Sequence, residues 1–166
     1  MAAQTQISVE EYFRTRFEGP TPEYVDGELV ERHMAGIPHS DVQRHLCALF
    51  EARGKQPPLF AYPELHLRIA PRHYRIADLA VFAGGRPAED IPSQPPLIVI
   101  EILSPDDSFQ KLLDKFGELR AWGVKHLWLI DPRSRKLFVY DAGLREVAAF
   151  TSPDYNVELA AAAIFA

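Results

Sequence analysis

Apolar positions recur along the chain with two different periods, and the switches between them mark out the elements. Between Ser40 and Arg53 the apolar residues Val42, Leu46, Leu49 and Phe50 follow the three-to-four-residue step of an amphipathic helix, and Gly54 supplies a stop. Leu65, Leu67 and Ile69 then alternate with His66 and Arg68, the two-residue period of a half-buried strand. Pro71-Arg72-His73 is a turn, and Tyr74 to Phe82 reads as a second strand. After a Gly- and Pro-rich loop from Gly84 to Pro95, Leu97-Ile98-Val99-Ile100-Glu101-Ile102-Leu103 is apolar everywhere except at Glu101. Such a run predicts a strand buried on both faces. A helix follows Ser104-Pro105-Asp106-Asp107 and runs to about Trp122, with Phe109, Leu112, Leu113, Phe116 and Leu119 as its stripe and Gly123 as its end. Leu127 to Ile130 is another buried strand, stopped by Asp131-Pro132. Two weaker strands, Leu137–Tyr140 and Glu146–Phe150, flank Asp141-Ala142-Gly143. Nearer the start, Ser8-Val9-Glu10-Glu11 has the form of a capping box and opens a helix to about Arg16. Asp26-Gly27, between Tyr24-Val25 and Glu28-Leu29-Val30, is a two-residue hairpin signal. The pattern predicts an α/β or α+β sheet protein whose strongest strands lie in the middle.

Composition narrows this picture. The 166 residues fit one domain, 1–166, and no repeat, low-complexity tract or long linker divides them. A net charge of -5 weakens any reading as a protein that coats nucleic acid non-specifically, although a local basic patch is still allowed. The single Cys47 excludes an internal disulfide and a cysteine zinc site. The longest apolar run, Leu159–Ala166, falls short of the ~20 residues that span a bilayer. Met1–Ile7 has neither a basic leader nor an apolar segment of a secretory signal, so the expected location is the cytoplasm.

Two carboxylates stand out as costly. Glu101 interrupts an apolar strand, and Asp78 does the same in Ile76-Ala77-Asp78-Leu79-Ala80-Val81-Phe82. A buried carboxylate costs several kcal/mol unless it is paired, protonated or metal-bound. If the two strands form a hairpin, Asp78 and Glu101 are equidistant from its midpoint between Glu89 and Asp90, inside the Gly84–Pro95 loop. They then face each other as two like charges, a conflict that a divalent cation resolves; oxygen ligands suit Mg²⁺ or Mn²⁺. The alternative is that each has an Arg or Lys partner or sits at an exposed strand end. Lys115 lies at the edge of the apolar stripe of the following helix. A lysine there ordinarily snorkels to water, but it could also reach the carboxylate pair. Glu28, directly after the Asp-Gly turn, is by itself a solvated hairpin residue. His33, His39 and His45 recur at six-residue steps and share no helix face. Ser104 is not in a nucleophile elbow. Arg68, Arg72, His73 and Arg75 cluster near the turn before Asp78 and could contact phosphates or simply be solvated.

Taken in order, several segments resemble the Uma-two family of restriction-endonuclease-like proteins in the PD-(D/E)xK nuclease superfamily. They are Tyr24-Val25-Asp26-Gly27-Glu28-Leu29, His39, Ala77-Asp78, Val99-Ile100-Glu101-Ile102-Leu103-Ser104-Pro105, Lys115 and Gly123-Val124-Lys125-His126-Leu127-Trp128-Leu129-Ile130-Asp131-Pro132. The resemblance covers about residues 8–150. It implies a restriction-endonuclease-like core, a mixed central sheet flanked by helices, with Mg²⁺ (or Mn²⁺) held by Asp78 and Glu101. The superfamily's lysine, two residues after the Glu, is replaced here by Leu103, and Lys115 matches the family's helical lysine. Glu28 matches a family acidic position and would complete the metal shell. Ala77 stands where the family usually has proline, Lys111 where it has an acid, and Leu119 where it has tyrosine.

The resulting expectation is a metal-dependent endonuclease hydrolysing DNA phosphodiester bonds. Asp78, Glu101 and Lys115 are its catalytic residues, and Asp78, Glu101 and Glu28 its metal ligands. DNA is the expected partner, no membrane is involved, and a homodimer is compatible. The competing expectation is a non-catalytic nuclease-fold module that binds a partner or regulates one.

Overall fold

The computed structural model describes residues 6–54 and 57–166; Met1–Thr5, within the stretch read above for a leader, lie outside the described residues. Helix α1 (Val9–Arg14) begins with the reciprocal cap its sequence encodes. Ser8 Oγ accepts from the Glu11 amide at 3.1 Å, and Glu11 Oε2 accepts from the Ser8 amide at 2.8 Å, a box typically worth about 1 kcal/mol. Strands β1 (Glu23–Val25) and β2 (Glu28–Val30) form the expected hairpin. Its turn residues Asp26 (φ 51°) and Gly27 (φ 94°) are both left-handed, as a two-residue loop matched to strand twist requires.

Helix α2 (Ile37–Ala52) starts three residues before Ser40, because Pro38 fits the first turn, where no amide donor is needed. Strand β3 (Leu59–Ala70) is longer than the alternation at Leu65–Ile69 suggests and runs through Pro63. Proline is tolerated there because β3 pairs only with β4 (His73–Ala83) and is an edge strand. Strand β5 (Ile98–Ile102), helix α3 (Phe109–Trp122) and strand β6 (His126–Asp131) form a parallel crossover, and β7 (Lys136–Tyr140) and β8 (Leu144–Val147) complete the sheet. Among the described residues this sheet has eight strands, in the order β2-β1-β4-β5-β6-β7-β8 with β3 beside β4, and only β5 and β6 run parallel. The expected mixed sheet flanked by helices is therefore present.

The expected strand Glu146–Phe150 is divided. Leu144–Val147 stays in the main sheet, whereas β9 (Ala149–Ser152) pairs with β10 (Val157–Ala160) in a separate two-stranded sheet followed by α4 (Ala161–Ile164). The pull is tertiary: the Phe150 ring stacks on Trp128 with centroids 4.5 Å apart.

The sheet separates two cores. Ile98, Ile100 and Ile102 of β5 pack with Val42, Leu46 and Phe50 of α2, while Val99 packs with Phe116 and Leu119 of α3. By the two-residue alternation of a strand, Glu101 shares the Val99 face, under α3. One irregularity positions the site. Strand β3 lines one edge of β4 over almost its whole length, so β1 and β5 must share the other edge. There β1 pairs at His73 and Tyr74 and β5 at Leu79 to Val81, which leaves a gap in strand pairing around Arg75–Asp78.

Candidate active site

The gap opens into a cleft of about 610 Å³ lined by Glu23, Arg32, His39, Glu64, Asp78, Glu101 and Lys115 among others. The β4–β5 register Leu79↔Ile100, Ala80↔Val99, Val81↔Ile98, continued by one residue, sets Asp78 opposite Glu101. Both side chains are buried, at 5% and 7% exposure. Inside the gap the backbone of Ile76 has no strand partner on this edge, and side chains replace it. The Ile76 amide donates to Glu23 Oε1 at 2.9 Å, and Lys115 Nζ donates to the Ile76 carbonyl at 2.7 Å. This answers the need of every buried backbone group for a partner.

Lys115 does not snorkel. Its side chain is buried beneath α3, and Nζ lies 2.7 Å from both Glu23 Oε1 and Glu101 Oε1. These three acids and bases continue outward through Arg75, which pairs with Glu23 Oε2 at 3.0 Å and grips Glu118 with two donors at 2.9 and 2.8 Å. His73 Nε2 also meets Glu118 at 2.9 Å. The basic cluster expected near the turn is thus partly internal: Arg75 is buried and serves the ion-pair chain.

Asp78 and Glu101 are held in opposite electrostatic states. Burial pushes the Asp78 carboxyl up. His39, whose Nε2 is 3.3 Å from Oδ2, the Lys115 charge and the Ile102 amide at 2.8 Å outweigh it, so Asp78 lies below the usual carboxylate range. Arg32 Nη2 adds a contact to Oδ1 at 3.3 Å. Glu101 goes the other way. Burial raises it, and Asp78 and Glu23 raise it further, leaving it well above the ordinary range despite Lys115. Lys115 itself is raised, because the attraction of Glu101, Glu23 and Asp78 exceeds its own desolvation. Mutual repulsion alone would raise both acids; the partners of Asp78 reverse the direction there. Glu101 Oε1 is buried, and its close contact is Lys115 Nζ at 2.7 Å.

The structure brings Asp78, Glu101 and Lys115 together but not Glu28. Glu28 is exposed on β2, paired in register with Val25, and does not line the cleft. The acid that enters is Glu23, on the adjacent strand β1. Its carboxyl is held low: burial raises it, but Lys115 and Arg75 bring it down. Hydrophobic periodicity does not single out Glu23, Arg32, Gln43 or Glu64, which also line the cleft. His39 had a place in the resemblance but no role. Glu23 opens β1 between Pro22 and Tyr24, and no local pattern distinguishes it from Glu28.

The donor set can be tested against a divalent cation. Among the described residues no group of three His, Cys, Asp or Glu side chains is arranged to hold a metal ion. Two carboxylates line the same cleft, however, and Glu101 Oε1 is buried with Lys115 as its close contact. Hard oxygen ligands with water completing the shell are what Mg²⁺ accepts, so Asp78 and Glu101 fit.

Comparison with known proteins places this geometry in context. A family model, Uma2, described as "Putative restriction endonuclease", matches residues 9–161. The crystal structure of a protein from Anabaena variabilis ATCC 29413, described as "a putative nuclease belonging to DUF820", has the same fold. It superposes with a TM-score of 0.80 at 24% identity, over 96% of this chain and 97% of that one. No curated protein matches. Among the described residues no helix is long and apolar enough to cross a membrane.

Proposed function

Since the chain belongs to the Uma2 family, we propose that it is a metal-dependent endonuclease that hydrolyses DNA phosphodiester bonds. The observation that carries the reading is the buried pair Asp78 and Glu101, set opposite each other in the β4–β5 register, with Lys115 on Glu101 beneath a cleft. Asp78 and Glu101 would hold Mg²⁺ or Mn²⁺, which when bound polarises the scissile phosphate and lowers the pKa of a bound water. His39 and the Ile102 amide fix one oxygen of Asp78, so that carboxylate is oriented in advance. The Glu101 carboxyl is raised by burial and by Asp78 and Glu23, so a cation bound there would compete with a proton. Lys115, anchored by the Ile76 carbonyl and Glu23, keeps its charge and directs it at the acid pair, where it can orient a water or stabilise developing negative charge. Seven carboxylate residues against four Arg and Lys residues line the cleft. That excess of negative charge suits a site that takes up cations before a polyanion.

A non-catalytic module on the same fold is the second reading. It is favoured by Asp78, whose two oxygens already have partners in Arg32, His39 and the Ile102 amide. Cleavage assays on supercoiled, linear and single-stranded DNA and on RNA, with Mg²⁺, Mn²⁺ or EDTA, separate the two. The hydrolase reading expects DNA cleavage with metal, none with EDTA, and loss of at least about a hundredfold in Glu101→Gln. Equal background activity in wild type and variant leaves the module as the better reading.

A further inference from the structure

Arg32 follows the β1–β2 hairpin and reaches into the cleft with a side chain only 17% exposed. Its Nη2 touches two carboxylates at once, Asp78 Oδ1 at 3.3 Å and Glu64 Oε2 at 2.9 Å. The partners differ. Asp78 is buried, whereas the Glu64 side chain is 47% exposed and lies at the cleft wall.

Glu64 is held there at a conformational cost. It stands opposite Asp78 in the β3–β4 register, between Pro63↔Leu79 and Leu65↔Ala77, and strand pairing is interrupted at this position. Its φ of 50° is left-handed, a conformation a glutamate in a strand rarely adopts. Gln43 Nε2 braces both sides of the arrangement, donating to Glu64 Oε1 at 3.0 Å and to the Asp78 carbonyl at 2.8 Å. Backbone strain persists only where the surroundings over-determine it, and it collects at ligand sites. Here it sets a second counter-ion beside an arginine that already has one.

We propose that Arg32 is a displaceable counter-ion: it neutralises Asp78 in the metal-free protein, Mg²⁺ evicts it from Asp78, and Glu64 retains it. This rests on the reading of Asp78 and Glu101 as the metal-binding pair. The physical reason is competition for one oxygen. Asp78 Oδ1 cannot carry a divalent cation and hold a guanidinium against it, because the two positive charges would then lie a few Å apart in a poorly screened site. Glu64 makes the exchange possible, since Arg32 can leave Asp78 without becoming an unpaired buried cation. The released guanidinium stays at the cleft wall, where its free donors can serve a phosphate oxygen. By linkage, bound metal weakens the hold of Arg32 on Asp78 by the same factor by which that hold weakens metal binding.

Isothermal titration of Mg²⁺ into wild type, Arg32→Gln and Glu64→Gln tests this, with circular dichroism to establish the fold of each. Arg32→Gln should bind Mg²⁺ more tightly, by at least about fivefold. Glu64→Gln, which leaves Arg32 with Asp78 alone, should bind it more weakly by a similar factor. A residue that merely supports the fold cannot give these opposite signs. Unchanged or weaker binding in folded Arg32→Gln overturns the proposal, and so does unchanged binding in Glu64→Gln, which carries the test if Arg32→Gln does not fold. If wild type takes up no Mg²⁺ at millimolar concentration, the metal-site reading falls together with this one. If wild type binds and the variants do not diverge, only the role of Arg32 falls.

Discussion

At the scale of single residues, the site consists of two carboxylates with opposite demands, and these predict opposite responses to neutralisation. The Glu101 pKa is raised on folding, so the native state binds that proton more tightly than the unfolded chain. Its contribution to stability is present below the unfolded carboxylate pKa and is lost as pH rises through the folded value. Glu101→Gln is neutral at every pH and leaves Lys115 its partner Glu23. The metal-free variant should therefore match wild type near pH 4 and become the more stable protein towards pH 8. The Asp78 pKa is lowered, so its contribution is present above the unfolded pKa and lost as pH falls through the folded one. Asp78→Asn should destabilise the protein at neutral pH and lose that difference on acidification, because Arg32 and His39 are left facing a neutral amide. Urea denaturation in EDTA across this pH range checks both. Variants that shift in the same direction at neutral pH contradict the opposite shifts of the two carboxyl groups.

At the scale of elements, the site exists because β1 and β5 share one edge of β4 and do not meet. Glu23 and Lys115 take the place of a strand at Ile76, so the gap has a measurable signature. Glu23→Ala removes the acceptor of the Ile76 amide and one counter-ion each of Lys115 and Arg75. It should cost about 3–5 kcal/mol, the range for breaking a buried pair. The Ile76 amide should also exchange with solvent much faster than that of Val81, which faces β5 in the β4–β5 ladder. Unchanged exchange at Ile76 would mean that the carboxylate is not what closes the gap. Much of this was legible in the sequence, and the legible parts share a cause. The capping box at Ser8 and Glu11, the Asp26-Gly27 hairpin and the placing of Asp78 opposite Glu101 each depend on residues close in sequence or on one hairpin. Three features depend on distant contacts and were not legible. Strand β9 leaves the main sheet because Phe150 stacks on Trp128. Pro63 lies inside a strand because that strand is an edge. Glu23 replaces Glu28 because position and not face separates them: both lie on one face of the hairpin, but Glu28 sits on the outer strand at the turn end, whereas Glu23 sits on the strand that pairs with β4, one residue beyond Tyr24↔Tyr74, where the gap begins.

At the scale of the whole molecule, a mixed sheet with α2 over one face and α3 over the other delivers a few charged groups to a single break in strand pairing. The shared fold with the Anabaena protein extends over nearly the full length of both chains. A metal that binds this folded site and not the unfolded chain must stabilise the whole protein. The increment is RT ln(1 + [L]/Kd), about 2.7 kcal/mol when free metal is ~100 times Kd. For a chain of this length that is a rise in melting temperature of roughly 5–10 °C. The most direct test of the metal site is therefore a thermal melt titrated with Mg²⁺ and Mn²⁺, wild type beside Glu101→Gln. The expected result is a saturable rise of that size in wild type and almost none in Glu101→Gln. A wild-type melting temperature that stays flat up to millimolar metal would contradict the metal site and, with it, the hydrolase.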